Sequence, residues 1–372
     1  FSLVCNTIGT HNVALGCQAL YSNTTGSYNV AIGYGALYSN STGGCNFAVG
    51  CAALYANTFG ANNFAQGYKA LFNNTNSENT AQGCKALYGN TSGIWNIAQG
   101  YKSLYTNTNG SSNISLGYYT GYGLQSGSST NIVLGANSMR CSTTLSSNCN
   151  IAIGQSAMNC INGGNWNIAI GYQASTGSTG GIGNSGKFNI AQGYCSLYAI
   201  TSGCYNVAIG AHTAKATTLG CHNFAQGYRA MCSNTTGSYN ISIGPDSMLY
   251  GATSTYQIAI GRSAGQNTCG CHNIMIGCYA NAPTTTSCWS ITLGSASYTC
   301  QRAPSATWTA LSDCRDKTCV QSLNAGIDVI KQLKPVRFNW KHRGADETHP
   351  RWMMPDSGFL AQELVEVLNN YT

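Results

Sequence analysis

Charged side chains are scarce in this sequence. Asp, Glu, Lys and Arg make up only 7% of its 372 residues, against roughly 25% in an ordinary soluble domain. Residues 1–303 contain two acids, Glu78 and Asp246, and nine bases. Bases spread this thinly form no patch for nucleic acid, so we expect no nucleic-acid partner.

Long apolar runs and metal-ligand motifs are also missing. No stretch of about 18 apolar residues occurs, which predicts the absence of a transmembrane helix and of membrane insertion. The 19 cysteines show no pair of C-x-x-C motifs at zinc-finger spacing. We therefore predict no metal site and no cofactor, and favour structural thiols or disulfides.

What the sequence does contain is a repeat that fills residues 1–303. A unit of 17 residues, N-[apolar]-[small]-[Ile/Leu/Gln]-G-Y-x-A-L-Y-x-N-T-x-G-x-x, occurs in 17 copies. Its first residue is Asn in every copy except those that begin at Gln257 and Ser290. A repeat of this kind predicts a solenoid, in which each unit packs against its neighbours.

Each unit opens with the pattern of a short strand. Counting from the Asn as position 1, the mostly apolar positions 2 and 4 would share one face, and the small position 3 would point the other way. The Gly at position 5 permits a sharp corner, and the Asn-Thr-x-Gly segment closes the unit with turn residues. Asn29–Gly33 is a typical example of the opening pattern.

The predicted fold class is therefore all-β, a repetitive β-roll or β-solenoid of about 17 coils. Successive coils would pair their strands at about 4.8 Å, giving a length of roughly 80 Å. The position 1 Asn side chains would form a column that hydrogen-bonds along the stack. Three intervals between successive corner glycines exceed 17 residues and predict surface loops.

Two columns suggest contacts beyond the single coil. The small residues at position 3 would let another chain approach closely, which suggests oligomerisation. Position 4 is Gln in five coils, and four of these Gln residues are followed three residues later by a base. The residues are Gln66, Gln82, Gln99, Gln192 and Gln226, and the bases are Lys69, Lys85, Lys102 and Arg229. We expect each Gln to face inward and to bond a neighbouring Gln or the base, because an unpaired buried amide costs about 1–3 kcal/mol. The alternative is a solvated lysine column beside an unrelated amide column.

Two pairs of cysteines occupy equivalent positions in successive coils. Stacking would place the Cα atoms of Cys204 and Cys221, and those of Cys271 and Cys288, about 4.8 Å apart, within the usual disulfide range. Each pair could staple two coils together. Buried free thiols are the alternative, because cysteine often packs as a small hydrophobe.

The composition changes sharply near Ala303 and Pro304, since residues 304–372 carry eight acids and eight bases. We therefore predict a repeat shaft over residues 1–303 and a second domain over residues 304–372. Apolar residues at helical spacing predict a helix that ends before Pro335, then a short strand from Val336 to Trp340, a polar loop over 341–357 and a second helix. The second domain would be a small α+β element.

Both parts resemble known families. The coils resemble the β-roll heads of trimeric autotransporter adhesins and, more closely, the repeats of phage and algal-virus fibres. Residues 312–372 look like the start of the intramolecular chaperone of endosialidase-type tail spikes. The motifs that carry this second resemblance are Ser312-Asp313-x-Arg315-x-Lys317, Leu333-x-Pro335-Val336-x-Phe338-x-Trp340 and Gly358-Phe359-Leu360-Ala361-Gln362-Glu363. The resemblance implies a homotrimer, assembled by a chaperone segment of which residues 304–372 are the N-terminal part.

The same resemblance implies a self-cleavage between Leu311 and Ser312. A serine hydroxyl is a weak nucleophile and needs a base. Lys317 is the candidate base if burial or a nearby charge lowers its pKa from about 10.4, and Asp313 would orient the site. The alternative is a helix N-cap formed by Ser312 and Asp313 beside a solvated Lys317.

The function predicted from these features is that of a structural and adhesive viral fibre at the virion surface or in the extracellular space. Its partners would be a host cell-surface receptor or glycan and other virion proteins, and its only enzymatic activity would be autoproteolysis. A glycan-cleaving enzyme is nearly excluded, because it needs two carboxylates roughly 5–9.5 Å apart and Glu78 lies many coils from Asp246. An ice-binding or other surface-binding solenoid is the alternative, since position 13 carries a column of Thr and Ser from Thr24 to Thr108.

Overall fold

The computed structural model describes residues 1–141, 146–177, 184–294, 332, 336–338 and 356–358. The chain divides into two compact units, Phe1–Gln301 and Arg302–Thr372. In the described ranges of the first unit there is no helix, and every repeat contributes one strand of three residues, formed by positions 2 to 4. The predicted all-β solenoid is therefore confirmed.

The strands of the first unit are short and evenly spaced. They are β1 (Val13–Leu15), β2 (Val30–Ile32), β3 (Phe47–Val49), β4 (Phe64–Gln66), β5 (Thr80–Gln82), β6 (Ile97–Gln99), β7 (Ile114–Leu116), β8 (Ile132–Leu134), β9 (Ile151–Ile153), β10 (Ile168–Ile170), β11 (Ile190–Gln192), β12 (Val207–Ile209), β13 (Phe224–Gln226), β14 (Ile241–Ile243), β15 (Ile258–Ile260), β16 (Ile274–Ile276) and β17 (Ile291–Leu293).

Each strand pairs in parallel with the strand of the next repeat, in register. Ile151 faces Ile168, and Ala152 faces Ala169. The 17 strands form one continuous parallel sheet, so the shaft makes about 16 turns. The longer intervals leave the register intact, since Ile168 still faces Ile190 across 22 residues. Insertions are therefore accommodated outside the strands, as predicted.

A narrow core runs along the inside of the coils. Position 3 is fully buried in nearly every coil, and so are the Ala and Leu at positions 8 and 9, as Ala31, Ala36 and Leu37 illustrate. A coil of 17 residues leaves room for only small side chains and one Leu or Met per turn. The small column at position 3 therefore fills the chain's own core, and the prediction that it admits another chain is wrong.

Two ladders of buried amides hold the turns together. Asn46 Oδ1 accepts hydrogen bonds from the backbone N–H and from Nδ2 of Asn63 in the next coil, at 3.0 and 3.1 Å. Asn46 Nδ2 donates to Gly60 O at 2.8 Å. In the second ladder, Asn40 Nδ2 donates to Asn23 Oδ1 at 2.8 Å. The predicted position 1 ladder is thus confirmed, and the position 12 Asn adds a second one.

The corners depend on residues whose backbone has a positive φ angle. Gly33 has φ of 131°, and a Cβ built on it would lie 2.7 Å from the carbonyl oxygen of Gly50. Only glycine fits there, because both the dihedral angle and the approach of the next coil exclude a side chain. Positions 7, 9 and 17 also take positive φ with ordinary residues, for example Lys69, Leu37 and Tyr28.

The second unit contains one described strand pair. β18 (Val336–Phe338) runs antiparallel to β19 (Asp356–Gly358), and Val336 faces Gly358. The strand predicted at Val336 is confirmed over three residues, whereas β19 begins inside the segment predicted to be a polar loop. The two predicted helices lie outside the described residues, apart from Gln332, which is helical.

Candidate subunit interface

The outer face of the 17-stranded sheet is apolar. Alternation along each strand sends position 3 into the core and turns positions 2 and 4 outward. Position 2 is apolar in every coil except at Thr80, and position 4 is aliphatic in every coil except the five that carry Gln. We call these two columns the strand face.

The strand face leaves large hydrophobic side chains in solvent in the single chain. At its two ends, Leu15 is 65% exposed and Ile291 is 49% exposed. In its middle, Ile170, Ile190 and Ile241 remain 37–38% exposed. Two columns about 7 Å apart along a length of roughly 80 Å give on the order of 500 Å² before side-chain width is added. That area is toward the upper end for the largest apolar patch on a typical monomer, and such patches are often functional.

The Gln side chains lie on this outer face and not inside the coil. Gln66, Gln82 and Gln99 are all exposed, so the prediction that they face inward is wrong. Gln82 Nε2 donates to Gln66 Oε1 at 3.2 Å, which bears out the expected Gln–Gln bond on a different face. Position 4 of the strand face is therefore polar at β4 to β6, and it is aliphatic at β1 to β3 and, apart from Gln192 and Gln226, at β7 to β17.

The bases at position 7 lie at the corner beside the strand face. Lys102 Nζ is 3.4 Å from the hydroxyl of Tyr119, and Arg229 lies 3.6 Å from Asp246 in the next coil. The hydrogen bond to Tyr119 raises the pKa of Lys102, and a bond to Tyr68 raises that of Lys69. These described bases bond to tyrosine or to a carboxylate, and no bond joins them to Gln.

The hydroxyl groups at position 13 donate hydrogen bonds to backbone carbonyl oxygens. Thr24 Oγ1 donates to Ser41 O at 3.0 Å, and Ser41 Oγ donates to Thr58 O at 3.1 Å. Thr75 and Thr91 repeat this bond to the following coil. A column whose donors are used internally is poorly suited to order surface water, so it favours a structural role over ice binding.

Successive coils bring the predicted cysteine pairs together as free thiols. Cys271 Sγ donates to Cys288 Sγ across 2.8 Å, and the backbone N–H of Cys204 donates to Cys221 Sγ at 3.1 Å. All four are unbridged in the structure. Oxidation to inter-coil disulfides stays a prediction, which mass spectrometry without reduction decides.

The predicted cleavage residues Ser312, Asp313 and Lys317 lie outside the described residues. Within the described ranges, no group of three His, Cys, Asp or Glu side chains could hold a metal ion. No helix in the part that the structure describes has the length and hydropathy needed to cross a bilayer.

The strand face was missed from the sequence, although signals for it were present. Gln replaces Ile at position 4 in five coils, which a buried position would not tolerate without partners. Position 3 stays small in almost every coil, which a narrow core requires. Together these two columns indicate that position 3 faces inward and position 4 outward.

The fold and this face define a parallel β-solenoid shaft with one apolar side. Residues 312–372 match the sequence model of the family described as chaperone of endosialidase. That match covers the C-terminal sixth of the chain and coincides with the segment whose motifs resemble this family. Comparison of the chain with curated proteins and with solved structures finds no match.

Proposed function

We propose that this chain is a structural and adhesive viral fibre protein that assembles as a homotrimer through its strand face. The observation that carries the proposal is the set of partly exposed aliphatic side chains on the strand face, which extends from β1 to β17 with interruptions by Gln. Such a face is unfavourable in water and is stabilised when copies of the chain cover it. Three copies can each present one face to a common axis, which buries all three faces.

The C-terminal match supports three as the number of copies. The chaperone of endosialidase family is associated with trimeric fibres, and the coils resemble fibre repeats that form trimers. A parallel in-register solenoid also suits a shaft, because its length grows by one coil per repeat without changing the cross-section. Exposure at a virion surface, with a host receptor or glycan and other virion proteins as partners, is part of this proposal.

Mass in solution tests the oligomer. Light scattering coupled to size-exclusion chromatography should give three times the chain mass of 39.1 kDa, or three times the shaft mass after cleavage. A monomer at micromolar concentration would contradict the proposal. A dimer would keep the strand face as an interface but would contradict the trimer.

We also propose that the chain cuts itself before Ser312. Ser312 Oγ would attack the carbonyl carbon of Leu311 and give its proton to the Lys317 amine, while the peptide nitrogen takes up a proton and leaves as the new amino terminus. Water would then hydrolyse the resulting ester, which restores the serine hydroxyl and frees the carboxylate of Leu311. Asp313 would orient the lysine.

Intact mass under denaturing conditions tests the cleavage. The wild-type chain should separate into residues 1–311 and 312–372, whereas Ser312→Ala should stay whole and still form the trimer. Lys317→Arg keeps the positive charge but cannot accept the proton, so it should also stay whole. Cleavage that persists in Ser312→Ala would exclude this serine as the nucleophile.

A further inference from the structure

A gap interrupts the tyrosine column that follows the corner glycines. Tyr68 and Tyr101, at position 6 of their coils, are 45% and 38% exposed. The coil between them carries Cys84 at the same position. The two rings therefore stand two coils apart, with only a thiol between them.

The width of this gap follows from places where the column is complete. Tyr101 and Tyr118 occupy successive coils and stack with their centroids 5.4 Å apart. Tyr172 and Tyr194 do the same at 5.3 Å. Two coils thus separate the rings of Tyr68 and Tyr101 by about 10 Å at about 4.8 Å per strand. One further ring would fit between them, about 5 Å from each.

Three lysines border this slot. Lys69, Lys85 and Lys102 occupy position 7 in the three successive coils, next to the tyrosine column. Lys69 Nζ lies 5.3 Å from the Tyr68 centroid, and Lys102 Nζ lies 5.3 Å from that of Tyr101. Among the described residues the Lys85 side chain makes no hydrogen bond, ion pair or ring contact, so its ammonium group is free.

None of these three lysines forms an ion pair in the part of the shaft that the structure describes. The two acids of residues 1–303 are engaged elsewhere, since Asp246 pairs with Arg229 at 3.6 Å and Glu78 accepts a hydrogen bond from Trp95 Nε1. Arg229 occupies the same position 7 as the lysines but is neutralised by the next coil. Ammonium groups on successive coils, about 5 Å apart at the strand spacing, repel each other even in water, and an external anion would relieve that repulsion.

We propose that the slot over Cys84 and its three lysines form a binding site for an acidic polysaccharide that lies along the shaft. One sugar ring would sit between Tyr68 and Tyr101 with its C–H faces against the aromatic faces. Carboxylate or sulfate groups on that sugar and its neighbours would pair with Lys69, Lys85 and Lys102. This ligand deepens the proposed attachment role and rests on it.

The dimensions favour a sugar over a nucleic acid base. Stacked bases are spaced by about 3.4 Å, so a base between the two tyrosines would fill about 6.8 Å of the 10 Å gap. A pyranose is thicker because it is puckered and carries hydrogens on both faces. By contrast, the continuous ring column from Trp166 to Trp289 has centroid spacings of 4.0–4.9 Å and leaves no face open between successive rings.

Glycan binding by the full-length protein tests the proposal. The probes are heparin for sulfate, polygalacturonate for carboxylate, dextran as the neutral glycan and single-stranded DNA as the other polyanion. We expect heparin or polygalacturonate to bind with an affinity that falls as salt rises, and dextran and DNA to bind at least about tenfold more weakly. DNA that binds as tightly as the better acidic glycan would overturn the assignment, as would equal binding of dextran.

Cys84→Tyr is the decisive variant, because it would complete the tyrosine stack and close the slot while the lysines remain. We expect it to lose at least about tenfold in affinity, a change of about 1.4 kcal/mol. Cys51→Tyr is the matched control, since it closes the equivalent gap one turn beyond Tyr68, where position 7 is Ala52, and it should bind like the wild type. Equal binding by Cys84→Tyr and the wild type would overturn the proposal.

Charge is tested separately. Lys69→Gln/Lys85→Gln/Lys102→Gln should lose binding and most of the salt dependence, whereas Arg229→Gln should lose neither. Retained binding in the triple variant would contradict the lysine site. The oligomer mass of every variant is measured alongside, so a trimer that binds no acidic glycan overturns this inference alone, and a monomer overturns the proposed fibre.

Discussion

The inner and outer sides of the same three-residue strands accept different side chains. On the inner side, position 3 is Ala in most coils and fully buried, and Leu37 and its equivalents fill the remaining space. On the outer side, positions 2 and 4 accept Val, Ile, Leu, Phe, Thr and Gln. On the inner side, the available volume limits the size of the side chain. On the outer side, the side chain only has to suit whatever covers the face. The larger aliphatic residues, which usually mark a core, here lie on the outer face of the sheet.

The largest expected effect comes from placing charge on the outer side. Ile260 and Ile276 face each other in successive coils of the strand face and are 36% and 41% exposed. We expect Ile260→Lys/Ile276→Lys to abolish assembly, because six ammonium groups would be buried in one trimer without partners. Light scattering should show single chains whose circular dichroism is still that of a β-solenoid.

The control for that variant is Phe59→Lys/Leu219→Lys. Phe59 and Leu219 are 69% and 54% exposed but belong to the turns and not to the strands. This control should assemble like the wild type. If both double variants assembled, the strand face would not be a subunit contact.

A smaller effect is expected from a cavity on the inner side. Leu71 is fully buried, and Leu71→Ala should lower the free energy of unfolding by about 2–5 kcal/mol. Leu219→Ala makes the same chemical change at an exposed turn and should lower it by less than about 0.5 kcal/mol. Chemical denaturation followed by circular dichroism measures both, and equal losses would contradict the division into a packed inner side and an open turn.

Removal of one amide from the ladder should cost less than that cavity. Asn46→Ala leaves the backbone N–H of Asn63 without its side-chain acceptor, and it removes one of the two side-chain donors to the carbonyl of Gly60, the other being Asn57 Nδ2. An unsatisfied buried group costs about 1–3 kcal/mol. Asn73→Ala is the control, because the Asn73 side chain makes no hydrogen bond among the described residues. A loss no greater than that of the control would mean that the ladder adds nothing to stability.

The smallest effect concerns reactivity on the turns. A hydrogen bond from the Cys160 thiol, aided by the charge of Arg140, lowers the pKa of Cys141 to about 6 against the effect of its partial burial. Cys141 should therefore be mostly thiolate at pH 7 and be alkylated by iodoacetamide with a midpoint near pH 6. A cysteine in an unstructured model peptide, with a pKa of about 8.5, is the reference. Peptide mass spectrometry across pH 5–9 measures both, and coincident profiles would contradict the thiol pair.

The repeat was enough to predict the stacked parallel strands, their register and the Asn column. These features follow from the period and the alternation of the repeat, which are the same in most of the 17 copies. Which face of the strand lies inside does not follow from period and alternation, and only the small residues at position 3 and the Gln residues at position 4 indicate it. That assignment depends on the width of the coil, which is set by left-handed backbone at positions such as Leu37 and Lys69. Residues other than glycine rarely adopt that conformation, so these left-handed positions are not predicted from the sequence.

The proposed site over Cys84 could not be predicted from the sequence either. Sequence alone shows that Lys69, Lys85 and Lys102 follow three Gln residues, which suggested a bond between them. The structure instead places Lys69 against Tyr68, and Lys102 against Tyr101 and Tyr119. The gap at Cys84 becomes visible only when the spacing of complete tyrosine pairs is known.

Hydroxyl-radical footprinting of the unmodified protein tests the subunit contact most directly. In the assembled fibre, Ile170, Ile190 and Ile241 should be oxidised several-fold more slowly than their 37–38% exposure in the single chain implies, while Leu219 and Phe59 react in proportion to theirs. Oxidation of the strand-face isoleucines in full proportion to that exposure would show that no other chain covers them, and would contradict the account.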